Sequence, residues 1–555
     1  MVPHLSKKSL KTILFIFVLL LGIIVGTSSY EYIQNHKQLP PVKTHSDILK
    51  QPMYSFTQSL SIKAPTDISH YSPNSCSTLS ANWVAQENSQ SGINMTIQDW
   101  KALRLEGALG SALWLNKTSG NCGDTLEIHA SLYGSSTDTL RTGSRTIEAL
   151  RIGWYGGSGA RQLWSSAPIK LKKERIKYSR AATGMIETAW PISAKVKLDS
   201  SWVPGFYLFI TRSADGTIEN SAPFVLHSPL GSSKLMLMHS FITWNIYNSF
   251  GGRSGYFGAG ATKDEMRSRR SRIVSLDRPI VGSGGFSIHR DAVSLVQYLE
   301  KNGINIDQYS DIDIDSWPSI TKSYNGIVLG GHPEYFSRRI FDGLVSARNS
   351  GINLAILGGN SGIWQVRMNK SKVGANRRIV IYRKATEDPV VDLRLISIKF
   401  ADKRLNIPST LITGTFADGV HVYGNLQAVK MPKWLNLPSK SAINGISPDS
   451  EVDHTVSTVA SPPNINILFS GVMHYRDAQK VGDPPRPKSV AQTIWFTTAS
   501  GAAIFNAGVT TWSCNLIETC AYSTVDEKSR MVMASLTSQI LHLWERKAVG
   551  STLTP

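Results

Sequence analysis

Short runs in which apolar and polar residues alternate dominate the chain between residues 76 and 228. Thr125-Leu126-Glu127-Ile128-His129-Ala130, Ile147-Glu148-Ala149-Leu150-Arg151-Ile152 and Phe206-Tyr207-Leu208-Phe209-Ile210 are examples, separated by Gly, Ser, Thr and Asp. A period of two with turn residues at this spacing predicts an all-β sandwich of about seven or eight strands. After Pro229 the pattern changes. Leu235-Met236-Leu237-Met238, Ile327-Val328-Leu329 and Leu354-Ala355-Ile356-Leu357 are unbroken apolar runs, the signature of buried strands. Between them, Ala292, Leu295, Val296 and Leu299 recur at helical spacing and stop before Gly303; Ile340, Leu344 and Val345 do the same before Gly351. Continuous apolar strands alternating with helices predict a parallel, doubly wound sheet covered on both faces. Two of the strands run into Gly330-Gly331 and Gly358-Gly359-Asn360, which puts the polar residues that follow at the carboxyl edge, where such sheets bind ligands. Further strands are expected within 378–383, 465–473 and 493–509, and a closing helix over 527–547. The expected fold class is therefore multi-domain β plus α/β, with a β-sandwich over 76–228 followed by an α/β domain over 229–547.

The amino terminus bears on compartment. Lys7, Lys8 and Lys11 precede an apolar stretch from residue 13 to 26, followed by Thr27, Ser28 and Ser29. These are the parts of a secretory signal. The stretch is shorter than the ~20 residues of a comfortable membrane span, yet no Ala-x-Ala site ends it. Residues 1–29 thus read as a signal peptide or a signal anchor forming one N-terminal transmembrane helix, and either places the rest outside the cytoplasm, periplasmic or extracellular. Residues 30–75, polar and carrying Pro40, Pro41, Pro52 and Pro65, read as a linker. Four cysteines in an exported chain predict disulfides, and Cys76–Cys122 with Cys514–Cys520 is the most local pairing. A hydrophobic content of 41% against 18% charged residues excludes a disordered chain, while 44 Gly, 25 Pro and 14 Trp disfavour a helical bundle. The net charge of +19 would suit anionic polymer, but no Lys/Arg run exceeds three residues. It reads as a basic solvated surface, and no nucleic-acid partner is expected.

Candidate chemistry gathers at Gly330-Gly331-His332-Pro333-Glu334-Tyr335, directly after a buried strand. His332 and Glu334 could be a metal pair, an acid/base pair or a polar loop. The chain has no H-E-x-x-H, no G-x-S-x-G, no P-loop and no G-x-G-x-x-G after a strand, which removes the commonest zincin, hydrolase and nucleotide readings. Asp311, Asp313 and Asp315 alternate like calcium ligands but lack the EF-hand Gly and terminal Glu, so they read as a solvated turn. Asn94-Met95-Thr96 and Asn116-Lys117-Thr118 are glycosylation sequons.

Arg151-Ile152-Gly153-Trp154-Tyr155-Gly156-Gly157-Ser158-Gly159-Ala160-Arg161 resembles the R-x-G-Y-Y-G-G-x-G-A-R strand and turn of the N,N-dimethylformamidase large (β) subunit family. Further blocks match in order: Trp202-Val203-Pro204-Gly205-Phe206-Tyr207, Thr243-Trp244-Asn245-Ile246-Tyr247-Asn248 with Gly251-Gly252, and Leu276-Asp277-Arg278-Pro279. Gly331-His332-Pro333-Glu334-Tyr335, Leu357-Gly358-Gly359-Asn360 and Ser500-Gly501-Ala502-Ala503-Ile504-Phe505 with Gly508 and Trp512 follow, so the resemblance spans roughly residues 130 to 520. It implies a β-sandwich joined to an α/β domain similar to class I glutamine amidotransferases. It also implies hydrolysis of C–N bonds in small amides at a mononuclear ferric ion, Fe3+, held by two tyrosines and a glutamate. Carried over block by block, those ligands fall on Tyr207, Tyr247 and Glu334. Phenolate and carboxylate oxygens suit a hard trivalent ion, which in turn supplies the charge that deprotonates each phenol. Hydroxide at the metal would attack the carbonyl; His332 would orient or deprotonate the water, and Asn360 would hydrogen-bond the carbonyl oxygen as its charge develops. Phe505 would line or pack the pocket. Read without the resemblance, Tyr207 is a core or interface tyrosine in its strand, and Tyr247 packs beside Trp244. The sequence departs from the family pattern G-H-D-E-Y-W at Pro333 and Phe336, which removes a carboxylate beside the metal. The partners implied are a small amide substrate and a separate small subunit, and a homo-oligomer is expected. The alternative function is a non-catalytic cell-envelope protein that binds anionic polysaccharide on a degenerate enzyme scaffold.

Overall fold

The computed structural model of the protein describes residues 55–56, 62–68, 79–80, 82–95, 99, 110–134, 142–178, 183–477 and 487–554. The segment read as signal or anchor, most of the linker, Cys76 of the first expected disulfide and Thr96 of the first sequon lie outside the described residues. Among those described, the chain is mostly β, in several sheets joined by helices and divided into more than one domain.

Two main sheets and a two-stranded ribbon, Ile176–Tyr178 with Ile186–Thr188, form the first part. Seven strands make the larger one: Ile93–Asn94, Gly159–Ser165, Thr142–Ile152, Gly205–Arg212, Ile218–Leu226 and Ser119–Gly120 in spatial order, with Ile169–Lys172 pairing off the path. Ala194–Lys197, Thr125–Tyr133 and Gly110–Leu115 make the smaller. Leu113, Ile128, Ile147, Phe209 and Phe224 fill the space between them. The opposite face of the larger sheet is covered too. Leu150, Ile152, Phe206, Leu208 and Ile210 join a second, larger core that continues into the rest of the chain. Gly205–Arg212 is therefore buried from Gly205 to Thr211 instead of turning one face to water.

The junction between these parts is polar and ordered. Arg151, wholly buried, donates from Nη2 to Glu300 Oε1 at 2.7 Å and from Nη1 to Glu300 Oε2 at 3.1 Å. Glu300 lies on the helix Ser294–Lys301, which begins after a π-helical turn at Ile288–Val293. Arg151 also reaches Tyr155 Oη at 2.8 Å and Pro204 O at 3.0 Å, while Tyr155 and Arg161 bind Glu87. A Cβ on Gly153 would lie 2.3 Å from Glu300 Oε2, so the glycine leaves room for the ion pair.

The second part is built on a nine-stranded sheet. Five strands run parallel, in the order Asp307–Ser310, Leu235–His239, Gly326–Gly331, Asn353–Gly358 and Ala503–Asn506. Four more extend it antiparallel: Ser489–Thr497, Asn466–Tyr475, Phe416–Ala428 and Ala442–His454. The sheet is thus mixed where a parallel one was expected. A smaller sheet of Ile273–Ser275, Arg378–Val380, Trp364–Asn369 and Tyr335–Ser337 lies beside it. Helix Arg338–Asn349 starts at Ser337, whose hydroxyl accepts from Ile340 N, and stops before Gly351 in the left-handed region. Helix Glu527–Trp544 closes the chain, with Trp544 Nε1 donating to Leu354 O at 3.0 Å.

Asp311, Asp313 and Asp315 are a correction to the solvated turn. They belong to the helix Asp311–Ser316, with a capping box between Ser310 and Asp313, and Asp311 and Asp315 are buried. The Asp311 carboxylate accepts from Ile242 N at 3.0 Å, at the start of the helix Phe241–Tyr247. Cys514 and Cys520 form a disulfide. Among the described residues no helix is long and apolar enough to cross a membrane.

Candidate active site

The carboxyl ends of three adjacent parallel strands bring the candidate chemistry together. Gly326–Gly331 ends in a left-handed turn (φ 68° at Gly331) pressed on the π-helical turn, where a Cβ would sit 2.2 Å from Asp291 Cβ. Neighbouring Gly358 lies so close that a Cβ there would fall 1.5 Å from Gly331 O. Only glycines allow this approach, and it sets His332 against the next strand end, with Nδ1 3.2 Å from Gly359 O. Tyr247 arrives at the last turn of the helix that follows Leu235–His239.

Glu334 is the hub. Its Oε2 accepts from Tyr247 Oη at 2.8 Å and Tyr256 Oη at 2.7 Å, and the two phenol oxygens lie 2.9 Å apart. His332 Nε2 is 3.2 Å from Tyr247 Oη, 3.4 Å from Glu334 Oε2 and 3.7 Å from Glu451 Oε2. Tyr335 Oη bonds Tyr256 Oη and accepts from Arg383 Nη2, whose guanidinium lies 3.8 Å above the Tyr256 ring. On the other side of His332, Asn360 Nδ2 donates to Glu451 Oε2, and its backbone N donates to Asp453 Oδ1 at 2.8 Å. Asn360 has φ 52°, a conformation asparagine tolerates better than most residues, and its Oδ1 is buried without a hydrogen-bond partner.

Burial and charge work against each other here. Burial favours a neutral Glu334, but the His332 hydrogen bond and charge, with Arg383 and Tyr256, hold its carboxyl below the usual value. Burial likewise disfavours a charged His332, yet Glu451 and then Glu334 raise the imidazole to about 9. At neutral pH the pair is imidazolium and carboxylate. Burial, reinforced by the Glu334 charge, keeps Tyr247 and Tyr256 protonated far above the normal phenol value. Burial raises Asp453 to about 6 against the hydrogen bonds that it accepts.

The donor set fits a hard cation. Two phenol oxygens and one carboxylate oxygen stand within 2.9 Å of one another, an arrangement that hard oxygen-seeking ions favour. Among the described residues, no group of three or more His, Cys, Asp and Glu could hold a metal ion.

The family described as N,N-dimethylformamidase beta subunit-like, C-terminal, matches residues 146–523 of this chain. The chain belongs to that family. No curated protein matches it. Among solved structures, the chain is 8% identical to a Paenibacillus sp. cycloisomaltooligosaccharide glucanotransferase complexed with cycloisomaltoheptaose, with 72% of this chain and 70% of that one covered. The TM-score of 0.16 carries no argument.

Within this dimethylformamidase-like chain, the structure brings together Tyr247, His332, Glu334 and Asn360. Tyr207 is not among them. Tyr207 faces the sandwich core, its ring 5.3 Å from that of Trp202, and its hydroxyl donates to Val203 O at 2.5 Å. Tyr256 is the second tyrosine whose hydroxyl meets Glu334. Phe505 is a buried packing residue against Trp512. Sequence reasoning also passed over Tyr335, Arg383, Glu451 and Asp453. Tyr335 was visible as the next residue of the His332-Pro333-Glu334 block; the others sit in segments without clean periodicity. The Arg151 block, the most recognisable of the family, proves to be the junction between the two parts.

Proposed function

We propose that this protein is an exported, iron-dependent hydrolase of C–N bonds in small linear amides, with Tyr247, Tyr256 and Glu334 as the residues that hold a single ferric ion. The observation that supports this most is the mutual approach of those three oxygens, each within 2.9 Å of the others at the carboxyl edge of the parallel strands. A ferric ion there would polarise the amide carbonyl and acidify water. Bringing in the cation also resolves the local charge problem, because buried phenols ionise only beside a strong positive charge.

The chain's own residues supply the rest. Glu451 faces the His332 imidazolium at 3.7 Å beside the Glu334 carboxylate and is the group placed to take the proton of an attacking water, with His332 orienting it. The water oxygen adds to the carbonyl carbon, and Asn360 Nδ2 turns from Glu451 to the carbonyl oxygen as negative charge develops there. Collapse breaks the C–N bond, and the proton taken by Glu451 passes to the leaving amine. Pro333, which replaces the family's Asp, leaves Glu451 as the carboxylate next to His332 on its far side. The family's description as beta subunit-like supports a separate small subunit as partner. The Cys514–Cys520 disulfide supports an oxidising compartment.

Release of ammonia from formamide, or of the amine from N-methylformamide and N,N-dimethylformamide, tests the reading, with the protein loaded with iron and with the metal stripped by a chelator. Turnover that needs iron and disappears in Glu334→Gln is expected. Turnover that survives Glu334→Gln, or no ammonia or amine from any of these amides, counts against it.

A further inference from the structure

We infer that Tyr335 and Arg383 form a directed hydrogen-bond relay that supports Tyr256, and not Tyr247, as an anionic donor to the bound ion; the inference rests on the ferric reading above. Arginine can only donate, so the Tyr335 oxygen accepts from Arg383 Nη2. That leaves the single Tyr335 O–H to donate, and its partner is Tyr256 Oη. While Tyr256 keeps its proton it gives it to Glu334 Oε2. When that proton leaves, the Tyr335 O–H remains, aimed at the phenolate with a cation behind it.

The cation is held in place. Arg383 stacks at 3.8 Å over the Tyr256 ring and 5.2 Å from the Trp364 ring, which satisfies its charge by cation–π contact. Its backbone lies in the left-handed region (φ 66°), a strained conformation for a residue with a side chain. The preceding residue is pinned on both sides: Tyr382 N donates to Ser397 Oγ at 2.8 Å, and Tyr382 O accepts from Arg270 Nη2 at 2.6 Å. The relay does not reach Tyr247, whose neighbours are Glu334, Tyr256 and His332 Nε2 at 3.2 Å; that imidazole is shared with Glu334 and Glu451, so the two ligand tyrosines are chemically unequal. Tyr335 and Arg383 are positioning residues: they act through Tyr256, stabilising its filled oxygen orbital and so leaving the iron a stronger Lewis acid.

The test is the visible spectrum and iron content of the iron-loaded full chain beside Tyr335→Phe, Arg383→Gln and Arg383→Lys. A hydrogen bond to a phenolate raises the energy of its charge-transfer transition to iron. Tyr335→Phe should therefore keep the wild-type iron content while its band moves to longer wavelength. Arg383→Gln should shift it less in the same direction, with Arg383→Lys between Gln and wild type. Loss of iron in Tyr335→Phe would make Tyr335 a ligand and overturn the relay. A wild-type band that Tyr335→Phe leaves unmoved overturns the relay alone; a wild-type protein with no band overturns the ferric reading with it.

Discussion

Replacing Arg151 by Met should unfasten the two parts of the chain more than any change at the surface. The side chain is wholly buried and makes four good hydrogen bonds, two to Glu300 and one each to Tyr155 Oη and Pro204 O. Methionine fills most of the volume but leaves the Glu300 carboxylate buried with Asn88 Nδ2, at 2.8 Å, as its remaining side-chain donor. Removing one partner of a buried pair typically destabilises by about 3–5 kcal/mol, because the other charge stays without its counter-ion. The upper end applies here, since a backbone carbonyl and a buried phenol lose their donor as well. Arg151→Met/Glu300→Met should be less unstable than the sum of the two single changes by at least about 1 kcal/mol, as no orphan charge remains. Urea unfolding followed by tryptophan fluorescence measures the loss; of the 14 Trp, Trp83 lies 5.6 Å from the Arg151 guanidinium and Trp154 lies 4.5 Å from Lys301 Nζ, at the junction itself. A loss below about 1 kcal/mol, the scale of an exposed ion pair, would refute the argument that this family block is the structural clasp.

Three further outcomes are expected. His239 is buried and bonded to Gln308, and burial lowers its imidazole from 6.5 to about 4; the fold therefore prefers it neutral, its contribution is complete above pH 6.5, and about 3 kcal/mol is lost as pH falls to 4. Unfolding free energies at pH 7 and pH 4 should differ less in His239→Leu than in wild type, and an unchanged pH slope would contradict this. The Cys514–Cys520 bridge closes a loop with a sequence separation of 6, so Cys514→Ser/Cys520→Ser should lose about 2 kcal/mol in urea unfolding, and no loss would contradict the chain-entropy argument. Glu451→Gln should lower kcat about 10²–10⁴-fold without lowering iron content, since it removes the carboxylate facing His332 and no ligand oxygen; an unchanged kcat would remove Glu451 from the proton transfer.

The parallel half of the large sheet was legible because strands buried on both faces must be apolar throughout, and Leu235–His239, Gly326–Gly331 and Asn353–Gly358 are mostly so. The glycines that end two of them announced the ligand edge and led to His332, Glu334 and Asn360. Of the antiparallel extension, strands were expected within 465–473 and 493–509, where Asn466–Tyr475 and Ser489–Thr497 lie; the outer pair was hidden. Phe416–Ala428 pairs with Ala442–His454 through repeated register shifts, which break the period of two, and Glu451 and Asp453 went unread with them. Tyr207 entered the ligand set only by carrying the family block over; its local pattern reads as a core tyrosine, its strand is buried on both faces, and its hydroxyl donates to the Val203 carbonyl. Tyr256 follows Gly255 in a loop where no periodicity applies, and only the folded chain shows that it meets Glu334. The aspartates at 311, 313 and 315 looked solvated by charge alone, whereas a helix cap and a partner helix bury two of them.

The most direct test of the ferric tyrosine–glutamate site is iron analysis with a visible spectrum of the purified full chain beside Tyr207→Phe, Tyr247→Phe and Tyr256→Phe. Iron and a tyrosinate charge-transfer band are expected in wild type and in Tyr207→Phe, and both should diminish in Tyr247→Phe and Tyr256→Phe. A colourless wild-type protein that takes up no iron, or a band lost in Tyr207→Phe and kept in Tyr256→Phe, would contradict the account.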